Sequence, residues 1–305
     1  MYLQSYINSL IENNLKKQEN IIEIDLILDG GAFNGVYMLG ALFFLKELEK
    51  RKVVKIKRIS GCSVGALLGC LYALDRLDIA LYISNESFIS FRKYQNLKKI
   101  RKKIFLLFYK NFQDYDFSKL NGKFYLTYFD TKNGKQCLVK NYKCLTDVTD
   151  SLFKSMHVPF LIDGNTKYKN GGIDGAFPYI FKKRFTERKL LFINLQALSK
   201  LSKMIVIKKE ENLFTRLFEG IHECNNFFKT NNANTLLSFI DEWDLKDILL
   251  FRLRELIYVI LVYFFTLGLN IENLIPKKWK KNVILQQHVK ILKRLWREFI
   301  TYISI

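Results

Sequence analysis

Gly61-Cys62-Ser63-Val64-Gly65 is the stretch on which the reading of the fold turns. It is reached through a strand-like run, Val54–Ser60, and runs at once into a helix-like one, Ala66–Leu74. A serine between two glycines at a strand-to-helix junction has the pattern of a nucleophile elbow. The turn is tight enough that side chains at the flanking positions collide, hence Gly61 and Gly65. It thrusts the Ser63 oxygen outward, and the helix start behind it offers unpaired N–H groups and a partial positive charge.

Two further segments bear on the same chemistry. Upstream, Ile24–Leu28 reads as a short buried strand entering Asp29-Gly30-Gly31-Ala32-Phe33-Asn34-Gly35, and a helical pattern (Val36, Leu39, Leu42, Phe43, Leu45) follows. Adjacent glycines let consecutive N–H groups face a developing oxyanion. A phosphate cradle or a plain strand–helix turn would use similar residues. Neither the dinucleotide-binding glycine pattern nor the P-loop pattern is present. Downstream lies Gly171-Gly172-Ile173-Asp174-Gly175-Ala176, a carboxylate among glycines beside an extended stretch. An ordinary Asp-Gly turn is the alternative there.

In this order the three segments resemble the patatin-like phospholipase family, over roughly residues 20–210. That family has a glycine-rich oxyanion loop, then a G-x-S-x-G elbow, then an Asp-Gly-Ala or Asp-Gly-Gly motif. Two strands, Phe124–Phe129 and Gln136–Asn141, joined by Thr131-Lys132-Asn133-Gly134, match the hairpin it places between elbow and aspartate. Ser155-Met156-His157-Val158-Pro159-Phe160 resembles its segment before the aspartate motif. Two positions depart: Ala32 replaces the third glycine of the loop, and Asn34 replaces its arginine.

The resemblance implies a three-layer α/β/α fold and a Ser–Asp dyad of Ser63 and Asp174. The N–H groups of Gly30, Gly31 and Ala32 would form the oxyanion hole. An alanine there still donates if the backbone does not need positive φ. It further implies calcium-independent hydrolysis of acyl esters of glycerophospholipids, as a phospholipase A or lysophospholipase, with no cofactor and no metal. Consistent with a dyad, none of His157, His222 and His288 sits in a glycine-rich or turn context. His157 is the nearest alternative base. No His, Cys, Asp and Glu cluster has ligand spacing.

At 305 residues the chain admits one large α/β domain or one with an appendage, and 49% hydrophobic residues suffice for a core. A catalytic domain over residues 1–210 and a helical C-terminal extension over 211–305 are expected. Five cysteines without a C-x-x-C pair point to free thiols in a reducing compartment. Residues 4–17 read as a short amphipathic helix, not a signal-peptide core. The expected setting is cytoplasmic and peripheral to membranes.

The net charge of +20 is uneven: eight basic and no acidic residues lie between Arg92 and Lys110, interleaved with Leu97, Ile100, Ile104, Phe105, Leu106, Leu107 and Phe108. Such a segment suits an anionic membrane surface, a nucleic acid or a solvated helix face. Leu256–Leu269 carries no charge but is short of a span, so a buried or interfacial helix is favoured over a membrane anchor through residues 248–269. Leu285, Val289, Leu292, Leu295, Trp296, Phe299 and Ile303 recur at helical spacing opposite Lys290, Lys293, Arg294 and Arg297, a basic amphipathic helix. The expected partners are a phospholipid or lysophospholipid substrate and an anionic membrane, with no nucleic acid. A carboxylesterase for small soluble esters and a non-catalytic lipid-binding relative are the alternatives.

Overall fold

The computed structural model describes residues 2–14 and 20–274, apart from 160, 170, 183–187, 205, 208 and 209, with a few isolated positions beyond 286. The basic amphipathic helix expected over residues 285–303 and His288 therefore lie outside the described residues. From 264 to 274 only the backbone is described.

The chain runs α1 (Tyr2–Asn14), β1 (Ile22–Leu28), α2 (Gly35–Lys50), β2 (Val54–Cys62), α3 (Val64–Ala73), α4 (Leu77–Tyr94) and α5 (Lys98–Phe112). There follow β3 (Phe124–Asp130), β4 (Lys135–Val139), α6 (Leu145–Ser155), β5 (Gly172–Ile173), β6 (Lys189–Ile193), α7 (Phe214–Thr230), β7 (Leu237–Phe239) and α8 (Leu245–Leu274). The strands form one sheet in the order β4-β3-β2-β1-β6-β7, with β5 paired to β3. Its centre, β3-β2-β1-β6, is parallel, and β4, β5 and β7 are antiparallel to their neighbours.

Both faces of the central strands are covered, as parallel strands require. Ile24, Leu26, Leu28, Leu191 and Ile193 point into the main core, shared with α2, α3 and α7. The alternate residues Ile27, Leu190 and Phe192 meet Phe181, Trp243 and Phe251 on the other face. Asp25, also on that face and buried, is neutralised by Arg58 and, at 3.7 Å, Arg188. The three-layer α/β/α arrangement follows, with α8 contributing the second outer layer.

The boundary expected at residue 210 falls inside this body. At the α2–α7 crossing, a Cβ on Gly220 would stand 1.9 Å from the Tyr37 carbonyl oxygen, so the helices pack backbone to backbone. Beyond α7, β7 pairs with β6 and extends the sheet edge. Among the described residues no helix is long and apolar enough to cross a membrane, so the anchor considered through residues 248–269 is not supported. The physical reason lies in α8 itself, where Arg252, Arg254 and Glu255 interrupt the apolar run.

Candidate active site

The site forms where β1 and β2 end, at the carboxyl edge of the parallel strands, where ligand sites of open α/β sheets gather. Between β2 and α3, Ser63 has φ 52° and ψ −127°. A left-handed φ on a serine costs on the order of 1–2 kcal/mol and persists only where the surroundings impose it. Here they do. A Cβ on Gly61 would lie 2.5 Å from the Gly65 carbonyl oxygen, and one on Gly65 would lie 2.5 Å from that of Asp29. The elbow is thus pressed between its own helix and the end of β1.

Asp174 reaches Ser63 through strand pairing. β2 leaves β3 after Cys62–Thr127, and β5 takes up β3 at Phe129 and Asp130, which sets the residue after β5 beside the elbow. The Asp174 N–H donates to the His157 carbonyl at 2.9 Å, and its Oδ1 accepts from the Ala176 N–H at 2.8 Å. The Ser63 hydroxyl favours the charged form of this carboxylate. Burial pushes the Asp174 carboxyl up to about 6, aided by the charge of Asp29 and opposed by the Ser63 and Ala176 hydrogen bonds. At neutral pH it is therefore ionised yet more basic than an exposed aspartate.

The loop Asp29–Gly35 passes directly over the nucleophile: a Cβ on Gly30 would stand 3.2 Å from Ser63 Cβ. The Gly30 N–H donates to Asp29 Oδ1 at 3.0 Å, so it is engaged. Among the described residues the Gly31 and Ala32 N–H groups carry no hydrogen bond. Ala32 sits at φ 45°, so the position does require the left-handed backbone that a glycine would take freely. Asn34 donates to the Leu195 and Lys200 carbonyls at 3.0 and 2.8 Å, and its Oδ1 accepts from Arg216 Nη1 at 3.1 Å. A guanidinium thus stands behind the loop although position 34 is not arginine. It comes from α7, buried and held by Glu210.

Asp29 is fully buried and accepts from Gly30 N–H, Leu195 N–H (3.3 Å), Gln196 Nε2 (3.4 Å) and Arg254 Nη1 (2.8 Å) and Nη2 (3.3 Å). Burial raises it to about 6 against the pull of Arg254. The Tyr258 hydroxyl donates to the Asp174 carbonyl.

His157 does not join the pair. Its Nδ1 lies 3.0 Å from Arg101 Nη2, its ring tilts against Tyr168, and burial lowers its pKa. His222 meets the Tyr6 hydroxyl at 2.6 Å, at the surface. Among the described residues no three His, Cys, Asp or Glu side chains are grouped as metal ligands.

Ser63 opens onto a predominantly apolar cavity of about 140 Å³, walled by residues such as Phe33, Val64, Leu68, Ile104, Phe153 and Met156. A flexible apolar chain fits such walls. Sequence reading missed Ser155, Arg216, Arg254 and Tyr258. Ser155 alone had a signal, its place in the segment before Pro159.

The family model described as patatin-like phospholipase matches residues 26–240, from inside β1 to just beyond β7. A "Probable lipid hydrolase 463L" of Invertebrate iridescent virus 6 is 41% identical over 75 residues. That alignment takes in 25% of this chain and 22% of the viral protein, about a fifth of the relative's length.

Proposed function

Because the chain belongs to the patatin-like phospholipase family, we propose that it is a serine acyl hydrolase cleaving fatty-acyl esters of glycerophospholipids or lysophospholipids. What supports this reading is that Ser63 lines an apolar cavity and its hydroxyl favours the charged form of the half-buried Asp174 carboxyl. Asp174 takes the hydroxyl proton as the Ser63 oxygen attacks the ester carbonyl carbon. The Gly31 and Ala32 N–H groups face the oxyanion that forms. As the tetrahedral intermediate collapses, the carbon–oxygen bond to the glycerol side breaks and Asp174 gives the proton to that oxygen. Water then attacks the acyl-serine, with its proton passing to Asp174. Collapse releases the fatty acid and returns a proton to Ser63.

The partner surface proposed for this reaction is an anionic membrane. Ile100, Arg101 and Ile104 of α5 line the cavity, whereas Lys98, Lys99, Lys102, Phe105, Leu106 and Tyr109 face solvent. One helix therefore borders the substrate channel and presents a basic, partly aromatic face suited to an anionic interface.

The test compares phospholipid vesicles and a short-chain ester as substrates for wild type, Ser63→Ala and Asp174→Asn. Lipid cleavage by the wild type alone is expected. Cleavage of only the short ester would favour a soluble-ester hydrolase, and vesicle binding without turnover would favour a lipid-binding protein.

A further inference from the structure

Helix α8 begins beyond the family-matched segment, yet two of its side chains reach the residues on which the proposed reaction depends. We infer that α8 is a working part of the active site: Arg254 positions the oxyanion loop through Asp29, and Tyr258 positions the chain at Asp174. The inference rests on the Ser63–Asp174 reading of the site.

Arg254 and Tyr258 stand four residues apart, hence on one face of the helix. That face is seated at both ends by apolar contacts. Phe251 packs edge-on to Phe192 with ring centroids 5.8 Å apart, and Val262 joins Phe129 and Ile173. Between them the Tyr258 ring meets Phe177 at 6.0 Å. The helix is thereby fixed across the strands that carry Asp29 and Asp174.

The Arg254 guanidinium reaches both oxygens of Asp29, at 2.8 and 3.3 Å. A buried carboxylate without a cation loses far more than a surface one, and it takes up a proton to escape the cost. Protonated Asp29 would be a poorer acceptor for the Gly30, Leu195 and Gln196 donors that now converge on it. The Gly30 N–H would be loosened, and with it the aim of Gly31 and Ala32. Arg254 touches neither nucleophile nor base, so its part is to position. The ionisable groups around Asp29 are Arg254 from α8, Asp174 beyond β5 and Cys62 at the end of β2. Among them Arg254 is the cation.

The experiment measures kcat and KM on an ester substrate across pH for the full chain carrying Arg254→Met, Arg254→Lys, Asp29→Asn, or Asp29→Asn with Arg254→Met. Arg254→Met should lower kcat by about ten- to a hundredfold with KM within about twofold, the size expected when supporting groups of a preorganised site are lost. The deficit should shrink as pH rises, because Asp29 then ionises even without its cation. Arg254→Lys should restore most of the rate. In the Asp29→Asn background, Arg254→Met should change kcat by less than about twofold, because its partner is already gone. A deficit equal at every pH, or fully additive in the double variant, overturns the inference. If Arg254→Met does not fold, Tyr258→Phe decides: a kcat drop of about threefold or more with unchanged KM supports α8 as a positioning element, and an unchanged kcat rejects it. Ser63→Ala serves as the control. Activity surviving in Ser63→Ala sinks the reading of the site itself, whereas its loss alongside an unaffected Arg254→Met sinks only the role of α8.

Discussion

The Ser155 hydroxyl accepts the backbone N–H of Ser63 at 2.9 Å and donates to the Thr127 carbonyl at 2.7 Å. Its own carbonyl accepts the Gly175 N–H at 3.4 Å. One buried residue at the end of α6 thus joins the nucleophile turn, the strand beside it and the loop that carries Asp174. Removing that hydroxyl leaves a buried donor and a buried acceptor unpaired, a loss of about 1–3 kcal/mol. Ser155→Ala should therefore lower the denaturant midpoint and reduce kcat about tenfold while KM holds, since the strained elbow loses its tether. An unaltered kcat in a correctly folded variant would show that the elbow is held without it.

Ala32 stands at φ 45° where the family pattern has glycine. The left-handed penalty for a side chain exceeds the entropy that a glycine adds to the unfolded chain, so Ala32→Gly should stabilise by about 0.5–1 kcal/mol. The loop N–H groups keep their directions, and kcat should stay level or rise. Denaturant titration with parallel kinetics checks both. A destabilised Ala32→Gly would mean that the methyl group makes a packing contribution larger than the strain.

What was legible in the sequence was whatever is enforced locally. Gly61 and Gly65 mark places where backbone stands 2.5 Å from an added Cβ, which leaves glycine no alternative, and at Gly30 an added Cβ would press on Cys62 and Ser63 at 3.2 Å. They disclosed the elbow, the loop and hence the fold. Arg216 and Arg254 left no comparable trace, because a buried guanidinium on a helix reads in sequence like any surface arginine. Arg254 points inward, whereas Leu256, Ile257 and Leu261 of the adjacent apolar run are at least half exposed. Strand β7, three residues long, is too short for alternation to register.

Asp174 is raised to about 6 in the folded protein, above the ordinary aspartate value. The native state therefore binds more protons than the unfolded chain between about pH 4 and 6, and stability from this group is present below about pH 4 and lost as pH rises through 6. Catalysis runs the other way, since only the ionised form accepts a proton: kcat should fall on the acid side with a midpoint near that value. Asp174→Asn should abolish turnover yet raise stability at neutral pH by on the order of 2–3 kcal/mol, with the difference vanishing near pH 4. Thermal unfolding at several pH values distinguishes this from a purely structural aspartate, whose removal would destabilise at neutral pH.

Lys98, Lys99 and Lys102 lie on the exposed side of α5. Each contributes about 1 kcal/mol to attraction by an anionic bilayer. Replacing all three by Gln should weaken co-sedimentation with anionic vesicles about a hundredfold at low salt, leave neutral vesicles unaffected, and preserve turnover of a short soluble ester. Equal binding by wild type and the triple variant would move the docking surface elsewhere.

Ile104 faces the cavity from α5, buried, on the side opposite those lysines. If the space beyond Ser63 receives an acyl chain, narrowing it must penalise long chains more than short ones. Ile104→Phe adds volume there at a packing cost of about 1–3 kcal/mol, which the cavity partly absorbs. The expected result is a kcat/KM about tenfold lower on long-chain esters with short-chain esters close to wild type. Equal losses across chain lengths would mean that the substituent disturbs the elbow, and the acyl chain would then have to follow a different path out of the site.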